Sequence, residues 1–394
     1  MLFRSVLIYL VDSRVSPAER QWALNTYRLP GDPGAAYFQV RYDMGAFSSG
    51  KWRGGEQPYT LANILKLGGV CKDEAYFTAE VCRAYGIPAT VCTGQSGQGE
   101  GFHVWVGLLK TVSRRSMWDF QTARYEEHGF WSGTVIDPQT GQKLTDGEAA
   151  MGGEWCAATP AHRLLSLAIT RSLDLLADQP ARIAACKAAL DAAPGNLQIW
   201  NALVNECAQP QTPLATVQEV AAVIERFAVG RYDDFAFKSF MTLVAGQGAE
   251  EQLKILDRVA KLFPDRPDLL ADLALRKGDA LQKLERPVDA LEVDLKVLKM
   301  SLSYGPVVLE AMARVDALLR PAGKMRELTE HYRTTWTRMH MPEESGYAWT
   351  TPWYIMGERY AKILEETGKD GLAAEVRKTI RARDLSHHDV ATKK

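Results

Sequence analysis

Two stretches carry most of the information in this chain: Gly68-Gly69-Val70-Cys71-Lys72-Asp73-Glu74-Ala75 and, further along, Phe102-His103-Val104-Trp105-Val106. Leu61, Ile64, Leu65 and Leu67 suggest a short helix or buried turn, which Gly68-Gly69 breaks. A second helix opens at Val70-Cys71 and runs to Tyr85, with Ala75, Ala79 and Cys82 on one face. Gly86 stops it and Pro88 prevents continuation. Ile87–Cys92 is β-rich, and a glycine-rich loop over residues 93–101 leads into Phe102–Leu109. Alternation there places Phe102, Val104, Val106 and Leu108 on one face of a strand and His103 and Trp105 on the other. Trp131-Ser-Gly-Thr-Val-Ile-Asp137-Pro138 reads as a further strand ending at an Asp-Pro turn.

The chain thus offers a cysteine at a helix start, a histidine on a strand and an aspartate at a strand end. Thiol chemistry needs these types in these places. The thiolate is the nucleophile, and a helix N-terminus lowers a cysteine pKa. An imidazole takes the proton, and a carboxylate behind it fixes its tautomer. Asp73 and Glu74 pull the other way if they point at the sulfur; satisfying backbone donors at the helix start is the more ordinary use of such residues.

Gly69-Val-Cys71-Lys-Asp-Glu-Ala75, Tyr85-Gly-Ile-Pro-Ala89, Phe102-His103-Val-Trp105-Val106 and Asp137-Pro138 together resemble the transglutaminase-like superfamily, over roughly residues 40–145 and in the family's order. The resemblance implies a papain-like α+β core: a helix carrying the nucleophile packed on an antiparallel sheet that carries His and Asp. It also implies acyl transfer through a thioester, with Cys71, His103 and Asp137 as the catalytic residues. Bacterial members of the superfamily are often taken for cysteine proteases or amidases, not cross-linkers. Family members usually reach the Asp within a hairpin of the His, whereas Lys110–Ile136 is long and polar here and contains Asp119 as an alternative acid. The Cys71 backbone N–H supplies one oxyanion donor. Relatives draw a second from an upstream Trp or Gln, which makes Trp52 and Gln57 candidates, with Trp105 beside the histidine as a further cleft residue.

Outward from this segment, glycine changes density. Twenty of the 31 glycines fall in residues 1–157, which reads as strands and loops with a few helices. Beyond Ala161, apolar residues recur at three- and four-residue spacing, with breaks at Pro194-Gly-Asn196, Gly246-Gln-Gly248, Pro264-Asp-Arg-Pro267, Gly305-Pro306 and Gly368. Stacked antiparallel helix pairs follow. Residues 184–200 and 278–291 resemble degenerate tetratricopeptide units, with an irregular helical bundle as the alternative. The expected division is an N-terminal segment 1–30, a transglutaminase-like domain 31–157, a helical-repeat domain 158–383 and a polar tail 384–394. The expected class is therefore an α+β papain/transglutaminase-like domain followed by an all-α helical-repeat domain.

Composition narrows the partners. Lys plus Arg is 47 against 48 Asp plus Glu, which argues against a nucleic-acid binder. No apolar run approaches the ~20 residues of a membrane span. The apolar start Met1–Val11 lacks an Ala-x-Ala cleavage site and runs into Asp12 and Arg14. It reads as a buried element, and an uncapped apolar opening also suits a chain whose parent begins upstream; the compartment is cytoplasmic as the chain stands, exported if a signal lies further upstream. The six cysteines contain no Cys-x-x-Cys pair, and Cys71, Cys82, Cys92 and His103 have ten-residue spacings unlike zinc-ligand pairs. No cofactor or metal is expected. Two readings stand: a cysteine protease, amidase or transglutaminase-like enzyme acting on a protein or peptide, its helical array recruiting substrate or partner; or an inactive transglutaminase-like scaffold used for protein–protein interaction. Water and amine acceptors are not separated by sequence.

Overall fold

In the computed structural model the residues described are 4–96, 101–112, 115–300, 305–342 and 348–384. The fold is mixed α+β and mostly helical, with a small five-stranded antiparallel sheet. The first part holds α1 (Arg4–Val11), α2 (Pro17–Asn25), α3 (Met44–Ser49), α4 (Leu61–Leu67), α5 (Cys71–Ala84) and α6 (Asp146–Ala157). Its strands are β1 (Ala89–Gln95), β2 (Phe102–Val112), β3 (Arg115–Asp119), β4 (Thr134–Ile136) and β5 (Lys143–Thr145). Their spatial order is β3-β2-β1-β4-β5.

The β1–β2 hairpin sets the register: Gly94 pairs with His103, Thr93 with Val104 and Cys92 with Trp105. One face therefore carries Val104, Val106 and Leu108, which share a core with Ala75, Ala79 and Cys82 of α5. The other face carries His103 and Trp105. Glycines 94 and 133 make room for that indole: a Cβ at either would fall 2.5 or 2.3 Å from the Trp105 ring. Residues near the chain start belong to this half. Val6 and Tyr9 pack in the sheet core, and Val15, Ala23 and Tyr27 pack with Phe77 and Val81 beside it.

Helices then follow one another: α7 (Pro160–Ser172), α8 (Gln179–Ala192), α9 (Leu197–Cys207), α10 (Leu214–Ala228), α11 (Asp233–Ala245) and α12 (Ala249–Ala260). They continue as α13 (Pro267–Lys283), α14 (Pro287–Met300), α15 (Gly305–Leu319), α16 (Met325–Arg338), α17 (Pro352–Glu366) and α18 (Asp370–Arg381). Each breaks where Pro, Gly or Asn interrupts the apolar spacing, and most pack on the helix before and after. Two apolar cores result, one spanning Met151–Leu273 and the other Leu275–Ile380. Residues 343–347 and 385–394, including most of the expected tail, lie outside the described residues. No helix among the described residues is long and apolar enough to cross a membrane.

The boundary expected at 157 falls at the end of α6, and α6 itself straddles two cores. Ala149 packs against the sheet, Met151 against Ile199 and Trp200. Lys238 of α11 pairs with Glu148 at 2.5 Å, and Arg231 pairs with Glu154. Gly195, in the α8–α9 turn, lets that turn touch α6, since a Cβ there would meet Trp155 N at 2.1 Å and Met151 O at 2.6 Å. Gly195→Ala forces backbone to move and is predicted to cost about 1–3 kcal/mol. Urea unfolding of the variant against wild type checks this.

Candidate active site

The turn before α5 is held from two sides. Gly68 sits at φ +87° with Arg41 O only 2.4 Å from where a Cβ would be. Gly69 bridges to Tyr42, and its amide donates to Arg41 O at 3.1 Å. A Cβ at Gly69 would strike Asp73, whose carboxylate folds back over it to accept from the Val70 N–H at 2.8 Å. That is the cap that opens the helix at Cys71. The second Asp73 oxygen accepts from Tyr59 Oη at 2.6 Å. Asp73 thus satisfies backbone, as its place at a helix start suggests.

Cys71 is half-buried in the first turn of α5. Its sulfur faces the backbone N–H groups of Lys72 and Val104. Val104 also offers its carbonyl to Tyr37 Oη at 2.8 Å. Both main-chain groups of a strand residue leave by the same edge. β3 pairs only with Leu108–Val112, so the edge of β2 at Val104 is met by Cys71 and Tyr37 instead of a strand. The candidate nucleophile therefore stands directly beside the strand residue that follows His103.

His103 is buried, and its Nε2–H donates to Ala123 O at 2.7 Å. A carbonyl can only accept, so this bond selects the Nε2–H tautomer and leaves Nδ1 as the base. Aromatic rings enclose the imidazole: Tyr125 at 4.9 Å, Phe130 at 5.1 Å and Trp105 at 6.0 Å between centroids. The residue that presents the carbonyl is in the left-handed region (Ala123 φ 58°), as is Tyr125 (φ 55°), a strain on the order of 1–3 kcal/mol each that the surroundings hold in place.

Several sequence expectations are corrected here. Asp137 does not orient His103. β4 runs antiparallel to β1 with Val135 opposite Cys92, so Asp137 falls level with Thr90, about 13 Å along the sheet from Gly94 and its partner His103 at ~3.3 Å per residue. Its carboxylate instead closes its own turn, accepting from Gln139 N at 2.7 Å and Thr140 N at 3.1 Å. Asp119 lies opposite Leu108, pairs with Lys110 at 2.6 Å and accepts from Gln121 N. Trp52 is not aimed at an oxyanion, because its Nε1–H donates to Gly68 O at 2.9 Å and so supports the turn before the thiol. Gln57 is exposed in the Gly54–Gln57 turn. Trp105 is fully buried under Gly94 and Gly133, its Nε1–H without a partner among the described residues; it packs against His103 as a floor. Residues 97–100 of the glycine-rich loop lie outside the described residues.

Sequence reasoning missed Tyr37 and the Ala123 carbonyl, whereas Glu74 acts on the thiol in the direction the sequence allowed. Glu74 is buried near Tyr37, and burial pushes its carboxyl up to about 7, opposed by the Tyr37 hydroxyl and helped by the charge of Asp73. Burial likewise raises the Cys71 thiol more than the N–H groups of Val104 and Lys72 lower it, with Glu74 and Asp73 adding to the rise. Burial lowers His103, opposed by its bond to Ala123. Burial thus disfavours the charged form of each group. No group of three or more metal-ligating side chains occurs among the described residues. The sequence matches no protein-family model, and no curated protein matches it.

Two predictions follow from these placements. Asp137→Asn and Asp119→Asn leave the alkylation rate of Cys71 within about twofold of wild type, since neither touches the imidazole; timed mass spectrometry of labelled peptides measures it. Glu74 holds its proton to about pH 7 when folded, against 4.5 for its ordinary value. The fold therefore binds an extra proton between those values and loses stability as pH rises through them. Glu74→Gln removes this loss and is expected to stabilise the protein at pH 8 by on the order of 1–3 kcal/mol, with little change at pH 4. Urea unfolding at both pH values reads the difference.

Proposed function

We propose that this protein is a thiol-dependent acyl-transfer enzyme acting on amide bonds, of the transglutaminase-like kind, with Cys71 as nucleophile and His103 as proton carrier. The observation that carries the reading is the pairing of a helix-start cysteine, set against the strand residue next to His103, with an imidazole whose Nε2–H is tied down so that Nδ1 is left as the acceptor. The acid of the expected triad is replaced in this scheme by a backbone carbonyl. A carbonyl fixes the tautomer as a carboxylate does, but it brings no full charge to stabilise an imidazolium.

In the proposed cycle Sγ attacks the substrate carbonyl as its proton passes to His103 Nδ1. The Cys71 backbone N–H, in the first turn and so unused within the helix, faces the developing oxyanion. The imidazolium then gives its proton to the leaving amine, and a thioester remains on Cys71. Water completes hydrolysis, or a second amine completes transamidation. Stacked helices beyond residue 158 supply a surface for a protein or peptide substrate in this reading.

The scaffold reading keeps one specific support: burial moves the thiol up and the imidazole down, away from an activated pair. Alkylation by iodoacetamide at pH 7, followed cysteine by cysteine, separates the two. Catalytic assembly predicts Cys71 labelling at least tenfold faster than in His103→Ala, and faster than at half-buried Cys156. Equal rates in wild type and His103→Ala leave the scaffold. The pH profile has a sign. The neutral imidazole is the base, and its pKa lies below 6.5, so the His103-dependent rate rises with pH below that value and levels off by neutrality. An unaided thiol, its pKa pushed up by burial, would instead react ever faster with rising pH through and beyond neutrality, with no plateau there.

A further inference from the structure

The loop that offers its carbonyl to His103 contains a buried cation. Arg124 lies between the two left-handed residues Ala123 and Tyr125, and it is 9% exposed. Its Nε donates to Phe130 O at 2.9 Å, which closes the loop on itself. One terminal nitrogen meets Asp146 at 3.3 Å, an ion pair not aligned as a hydrogen bond. Its guanidinium carbon stands 6.0 Å from the centre of the Trp105 ring that floors the imidazole. Glu126 approaches Nε at 3.6 Å from the solvent side.

Asp146 is itself anchored. It is 3% exposed and begins α6; its amide donates to Gly133 O at 3.0 Å and its Oδ1 accepts from Gly147 N at 2.9 Å. Asp234, at the start of α11, adds a second acid to the neighbourhood of both Arg124 and Asp146 and is paired with Arg266 at 2.9 Å. A charged row therefore runs from the histidine loop to the start of α6, where Arg124 meets Asp146, and the nearby acid Asp234 opposes the ionisation of Asp146. Burying these charges is costly and their attraction only partly offsets it. What the row obtains is geometry: Arg124 pins the backbone on either side of it, and with it the direction of the Ala123 carbonyl.

We infer that Arg124 and Asp146 are positioning residues that clamp the 121–130 loop so that Ala123 O fixes the tautomer and tilt of His103, the clamp being anchored at the start of α6. The inference rests on the acyl-transfer reading for its catalytic meaning, while its structural content, a single ring tautomer maintained by a remote ion pair, stands separately. Arg124 acts through Ala123 and does not touch substrate or sulfur.

The experiment uses the full-length chain. Ring-nitrogen NMR of ¹⁵N-histidine protein, with His103 assigned by His103→Gln, reads the tautomer, and iodoacetamide labelling reads Cys71. Wild type is expected to show His103 as a single Nε2–H tautomer. In Asp146→Asn the tautomers mix, and Cys71 labelling slows by on the order of tenfold, the penalty of a misplaced catalytic group. Arg124→Lys keeps the charge but loses the Phe130 bond; it gives a smaller change in the same direction, and it carries the test if Asp146→Asn does not fold. A single tautomer retained in the folded variants overturns the clamp, whatever the labelling rate. Mixed tautomers together with a wild-type labelling rate that already equals that of His103→Ala uphold the clamp and instead remove the acyl-transfer reading.

Discussion

The unpaired edge of β2 at Val104 is the constraint on which the site depends. A strand edge leaves N–H and C=O groups that must find partners when buried. Here the carbonyl takes the Tyr37 hydroxyl and the amide faces the Cys71 sulfur. That use of the edge brings the start of α5 against the sheet beside His103, and it orders the rest. Gly68 and Gly69 must be small for the preceding turn to lie against Arg41–Asp43, and Asp73 must fold back to cap the helix where the sulfur emerges.

The electrostatics of the site are those of a buried pair, not an exposed thiolate. Desolvation disfavours both charged forms, raising the Cys71 thiol and lowering the His103 imidazole. Chemistry at such a pair would form the ion pair only as substrate is attacked. A nearby carboxyl that protonates around neutrality belongs to the same environment: Glu74 is held off water by Tyr37 and the core beneath. The face opposite α5 is built differently. Trp105 fills the space that Gly94 and Gly133 leave, and the 121–130 loop closes over His103 on aromatic rings and one buried guanidinium.

Much of this was readable from residue order. Helix α5, its start at Cys71, its stop at Gly86 and the alternation that separates His103 and Trp105 from Val104 and Val106 are all local, and local patterns reflect the periods of helix and strand. Helix breaks at Pro194–Asn196, Gly246–Gly248 and Pro264–Pro267 were legible for the same reason. Asp137 was misplaced because an Asp-Pro dipeptide after an apolar strand is compatible with two very different uses. The side-chain oxygen closes the turn, and the pairing of Val135 with Cys92 carries it to the wrong end of the sheet. Trp52 went astray likewise, its indole taken by Gly68 O.

Residue order alone dictated a helix-start cysteine, a strand histidine, a glycine-rich first part that mixes strands, loops and helices, and a long helical remainder, because those follow from periodicity and from glycine and proline within a few residues. Which oxygen meets the imidazole depended on the assembled molecule. It is a carbonyl from a left-handed residue about twenty positions away, held by Arg124 and Asp146. A backbone carbonyl belongs to every residue and marks none of them in a sequence, so only strand register and loop packing could select Ala123.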